Sequence, residues 1–199
     1  MEFISKALFW VANSLLVPDI ILLLLLFIRS IIMLGELYSQ FRTKRKYDRI
    51  FAQPIKELSL ETTGALFGLL PQKDNTLFTN YLRELLSASP SPDYSDYLLN
   101  SFENRVEREL LFPRLMSKVG PMLGLMGTLI AMSPALVGLS QGDITGMAYN
   151  MQIVFATTVV GIVIALVGIL TTSLKQRWYA NDLNRLEYVA SILDQQAKQ

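Results

Sequence analysis

Three stretches of this chain, about residues 15–34, 119–139 and 149–174, are apolar over the twenty or so residues that a helix needs to cross a bilayer. The second and third contain no charged residue, and the first contains only Asp19 and Arg29. In lipid every backbone N–H and C=O must be satisfied within the segment, so each stretch is expected to be an α-helix. Composition agrees, with 51% of 199 residues hydrophobic and a mean hydropathy of +0.35. The expected fold is all-α, an integral membrane protein with three transmembrane helices. Lys6 is the only basic residue before the first apolar run and no small-residue cleavage site follows it, so the run is expected to be retained as a helix.

Charge orients the spans. Arg42, Lys44, Arg45, Lys46 and Arg49 follow the first, and Lys175, Arg177 and Arg185 follow the third. The connection 140–148 has no basic residue and one acid, Asp143. The positive-inside rule then puts the N-terminus outside, residues 40–118 in the cytoplasm, 140–148 outside and the C-terminus inside. Three regions result: 1–39 with the first span, a cytoplasmic helical segment 40–118, and 119–199 with spans two and three and a tail helix.

Within the cytoplasmic segment apolar residues recur at helical spacing over 50–70, 77–86 and 94–116, interrupted by SASPSPD at 87–93, the linker candidate. The run SFENRVERELL, 101–111, leads into the second span with only Pro113 as a possible kink, so one helix is expected to continue from cytoplasm into membrane. Beyond Trp178 and Tyr179, the pattern Leu183, Leu186, Val189, Ile192, Leu193 prolongs the third span in the same way.

The chain has no cysteine and no histidine, which removes disulfides, thiol nucleophiles, imidazole bases and the usual zinc or haem ligands. No nucleotide loop or nucleophile–base set stands out either, so neither an enzyme nor a cofactor is expected. Net charge is only +1, and the basic cluster at 42–49 is read as a topology signal and a lipid-headgroup contact, with no nucleic-acid partner.

Spans two and three share an unusual feature. On a helical wheel Gly120, Gly124, Gly127, Thr128, Ala131, Ala135 and Gly138 fall within an arc of about 100°. Thr158, Gly161, Ala165, Gly168 and Thr172 fall within about 80°. The first span, with IILLLLLFI at 20–28, is bulky all round and suited to lipid. Small faces let helices pack closely where lipid gives them no hydrophobic reason to associate, and spacing alone favours that use. The other use is as a flat, weakly polar wall along which something moves. Thr128 and the doublet Thr157–Thr158 sharpen the second possibility, because a hydroxyl can relay a proton or hydrogen-bond a carboxyl without being charged itself. Between Leu110 and Asn181 the sole acid is Asp143, so a proton path here calls for a carboxylate from another subunit.

GPMLGLMGTL, 120–129, resembles the proline–glycine-rich opening of the second helix in the MotA/TolQ/ExbB family of proton-channel subunits, and FATTVVGIVIAL, 155–166, resembles that family's third-helix threonine followed three residues later by glycine. The similarity runs from about residue 105 to the end of the third span. It implies a homopentameric ring in the plasma (inner) membrane, its pore lined by helices two and three with the first helix peripheral. Inside would sit two copies of a single-span partner with a membrane aspartate, through which proton flow drives rotation. By position Thr128 and Thr158 match the pore threonines and Pro121 the proline at the cytoplasmic mouth. Thr157, Gly124, Gly127, Ala131, Gly161 and Ala165 complete the expected pore-lining set. Ile153 stands where many transporter-energising members have a glutamate, and the cytoplasmic segment is short for a flagellar stator, which favours the ExbB/TolQ-like branch. The alternatives are a passive membrane scaffold whose glycine faces only pack helices and, more weakly, an enzyme anchored by three spans.

Overall fold

The computed structural model describes residues 2–56, 76–87 and 92–196, and every element in them is an α-helix: α1 (Glu2–Lys56), α2 (Leu77–Ser87), α3 (Pro92–Ser140) and α4 (Ile144–Gln196). The expected helix at 50–70 is seen as far as Lys56, and its remainder, like residues 88–91 of the linker, lies outside the described residues. α1, α3 and α4 are each long and apolar enough to cross a membrane, as the three-span reading requires. α3 and α4 each continue well past their apolar stretch, and α3 runs unbroken through Pro113, Pro121 and Pro134. At Pro121 the missing N–H deprives the Ser117 carbonyl of its usual donor, yet the helix goes on.

The connection between α3 and α4 is shorter than the nine residues 140–148. It is a turn at 141–143, because both helix ends are capped. Gly142 takes φ 78°, a left-handed conformation that suits glycine, and the Asp143 N–H reaches back to the Gly138 carbonyl at 2.9 Å. Asp143 then caps α4, its Oδ1 accepting the Gly146 N–H at 2.9 Å.

The helices divide into two compact units, Met1–Leu37 with Phe112–Thr172, and Tyr38–Leu111 with Ser173–Gln199. In the first, α1 turns one stripe inward: Asp19, Leu23, Ser30, Met33 and Leu37 are buried, while Ile21, Leu22, Leu24, Leu25 and Ile28 are exposed. Leu23 and Met33 pack with Met116 and Leu123 of α3 and Ile164 and Val167 of α4. Exposed leucines on α1 carry no penalty in hydrocarbon, so the bulky first span is a lipid-facing helix with one committed side. Arg29, on the exposed side, pairs with Glu36 at 3.5 Å and lies over the Phe112 ring at 5.4 Å.

In the second unit the amphipathic α2 buries Phe78, Leu82 and Leu85 against Leu98 and Phe102 of α3 and against Leu186, Val189, Ile192 and Leu193 of α4. Each such side chain contributes about 1.5–3 kcal/mol by leaving water. The tail pattern in the sequence is thus the core-facing stripe of α4.

Candidate functional site

The small faces of spans two and three meet within one chain. A Cβ placed on Gly161 would lie 2.6 Å from the Gly120 carbonyl oxygen and 3.0 Å from the Gly124 Cα, and one on Gly124 would lie 3.0 Å from the Thr157 carbonyl oxygen. Gly168 stands equally close to Pro113 and Ser117. Backbone rests on backbone along this seam, a contact that side chains larger than hydrogen would force open. Gly124, Gly127, Ala131, Gly161 and Ala165 are all buried there, Ala131 completely.

The three threonines part company. Thr157 is buried with 6% exposure, its methyl turned toward Gly127, whereas Thr158 is half-buried beside the seam. A contact centred on Gly161 reaches Thr157 one turn earlier and Ile164, Gly168 and Thr171 later, so the wheel position of Thr158 is the margin of the stripe and not its middle. Thr128 is half-buried at the corresponding margin of α3, and Pro121 is exposed on it. All three hydroxyls donate to carbonyls of their own helices: Thr128 to Leu125 at 2.6 Å, Thr158 to Val154 at 3.0 Å, and Thr157 to Ile153 and Val154, both at 3.1 Å. Their lone pairs remain open to a further donor.

A residue that the sequence reading passed over joins them. Asp19 of α1 is buried with 2% exposure, and its Oδ2 lies 2.8 Å from the point where a Gly127 Cβ would be, a point only 2.9 Å from the Thr157 Cβ. Neither carboxylate oxygen has a hydrogen-bond partner among the described residues. In the sequence Asp19 stands in a span bulky on every side, and it is burial along Asp19, Leu23, Ser30, Met33 and Leu37 that shows which side of α1 faces protein.

The second unit holds its polar groups differently. Lys44 forms a partly buried ion pair with Asp182, and Arg185 approaches the same carboxylate at 4.0 Å. Tyr179 donates its hydroxyl to Glu109, and burial, followed by that bond and by the Glu109 and Asp182 charges, pushes its phenol well above the ordinary range. Lys44, Glu109, Tyr179 and Asp182 line a cleft of about 330 Å³, but their polar groups answer one another there. Among the described residues no cluster of three or more metal-ligating side chains occurs.

The model of the MotA/TolQ/ExbB proton channel family matches residues 71–188, more than half of the chain. No curated protein and no solved structure matches it.

Proposed function

This chain belongs to the MotA/TolQ/ExbB proton channel family, and from that premise we propose that it is the pore-forming subunit of a proton-motive-force-driven, energy-transducing complex of the ExbB/TolQ type. Five copies form a ring in the plasma membrane, with the N-terminus outside and the C-terminus in the cytoplasm. Two copies of a single-span partner inside the ring bring the aspartate that spans two and three lack. Thr128, Thr158 and Pro121 edge the pore, while Gly124, Gly127, Ala131, Thr157, Gly161 and Ala165 build its wall by letting α3 and α4 run backbone to backbone.

The observation that carries this reading is the half-exposed pair Thr128 and Thr158, whose hydroxyls now serve carbonyls of their own helices. Such a hydroxyl exchanges partners cheaply. Rotated outward, it gives a partner carboxylate a charge-assisted hydrogen bond, of about 1.5–3 kcal/mol against about 0.5–1.5 for the neutral one it gives up. Once the aspartate takes a proton that advantage is gone, and the hydroxyl falls back on its carbonyl without an orphaned donor. The neutral acid passes the apolar face, and loss of its proton on the cytoplasmic side resets the cycle.

Proton flux into liposomes tests this, with the chain reconstituted alone and with its single-span partner. Flux should require the partner and fall strongly in Thr158→Val, which keeps the shape and removes the hydroxyl. Undiminished flux in the valine variant removes Thr158 from the path. An assembled complex without flux favours the passive scaffold, the reading that the glycine seam by itself supports.

A further inference from the structure

We propose that Asp19 is a second proton-carrying carboxyl of the channel, resident in this chain and seated in a site shared with Gly127 and Thr157. The inference rests on the proton-channel reading above and adds a station to it.

The usual reasons for burying a carboxyl are absent. Asp19 lies well inside α1, far from the helix N-terminus where an acid could cap free N–H groups. Among the described residues no hydrogen-bond donor reaches either oxygen. No counter-charge faces it from the packed helices, since between Lys118 and Lys175 the one charged residue is Asp143, in the turn at the far end of α3. On α1 itself the nearest charge is Arg29, about 15 Å along the axis by helical rise and engaged with Glu36 and Phe112. Packing alone is served better by an apolar residue, because an ionised carboxylate without partners is very costly in such surroundings. An intramembrane acid that neither pairs nor caps is most simply a group kept for its proton.

The surroundings suit that use. Gly127 leaves the volume that any side chain would take from the carboxyl, and Thr157 borders the same space. When the Asp19 O–H bond breaks, the proton passes to a water molecule to give hydronium, and the electron pair stays on the carboxylate. The Thr157 hydroxyl, rotated away from its two carbonyls, can then donate to it; return of a proton from water restores the acid. A metal cation is a poor fit, since one carboxylate and one hydroxyl fall well short of the six or more oxygens of a calcium shell.

Dicyclohexylcarbodiimide, an apolar reagent that traps protonated carboxyls as N-acylureas, reads the site directly. The whole complex, chain plus single-span partner, is treated in liposomes and the modified residue located by peptide mass spectrometry, with proton flux followed in parallel. Labelling is expected at Asp19, decreasing as the pH of the medium is raised. Asp19→Asn should lose both that label and the flux while assembling normally, and Asp19→Glu should restore the label. A complex that conducts with Asp19 unlabelled, or as well with asparagine as with aspartate, overturns the proposal. Should the asparagine variant fail to assemble, labelling of the unaltered complex decides by itself. Absence of flux from the unaltered, assembled complex overturns the channel reading and this one together.

Discussion

At the scale of single residues, one missing Cβ sets how closely α3 and α4 can run. Gly161→Ala would place a carbon 2.6 Å from the Gly120 carbonyl oxygen and 3.0 Å from the Gly124 Cα, and neither is the far end of a side chain that could swing away. The helices must separate, and such overpacking costs about 1–3 kcal/mol. Gly35→Ala is the matched control, because among the described residues nothing lies within 4 Å of a Cβ there and alanine is the better helix former by about 0.8–1.0 kcal/mol. Thermal unfolding of the detergent-solubilised protein should therefore show a lowered midpoint for Gly161→Ala and an unchanged or raised one for Gly35→Ala. Equal shifts would mean that the seam is looser than its geometry requires.

At the scale of elements, α3 and α4 are tied in the second unit by Tyr179 and Glu109. The phenol is raised, by burial first, so its folded form stays neutral beyond the ordinary value near 10. The stability from that shift is fully present below pH 10 and is lost as pH rises further, since only the unfolded chain then releases the proton. Tyr179→Phe should lower stability at neutral pH by about 1.5–3 kcal/mol and flatten the alkaline decline, which midpoints measured from pH 7 to 11 would resolve. A variant with the same alkaline decline as the parent would place its cause elsewhere. The elements themselves were largely legible in the sequence. Twenty apolar residues admit little but a spanning helix, and the interleaved charges of 101–111 and the stripe from Leu183 to Leu193 carried α3 and α4 beyond the apolar stretches. What periodicity could not supply was the azimuth at which helices meet. Thr157 and Thr158 differ by 100°, both sit near a small face, and only the backbone contact at Gly161 puts the first inside. Asp19 was hidden for a related reason, because a span bulky on every side gives no sign of which side is covered. The start of α4 at Ile144 was not legible either, because the charge of Asp143 gives no sign that its carboxylate is also a helix cap.

At the scale of the whole molecule, net charge is nearly zero, so orientation rests on where the charges fall. Five basic residues lie at 42–49 and three more follow the third apolar stretch, at 175, 177 and 185, against none in 140–148. Translocating such clusters is strongly disfavoured, so the turn at 141–143 is expected on the outer face and the second unit in the cytoplasm. The absence of cysteine makes this directly measurable, because every introduced thiol is the only one in the chain. Lys6, Asp96 and Gln141 are all exposed and suit the substitution. With a membrane-impermeant maleimide applied to intact spheroplasts, Lys6→Cys and Gln141→Cys should be modified at once, and Asp96→Cys only after the membrane is broken. The opposite pattern would invert the protein. Pro121 would then edge the outer mouth of the pore, and the direction in which a carboxyl must pass Thr158 and Thr128 to follow the proton gradient would reverse.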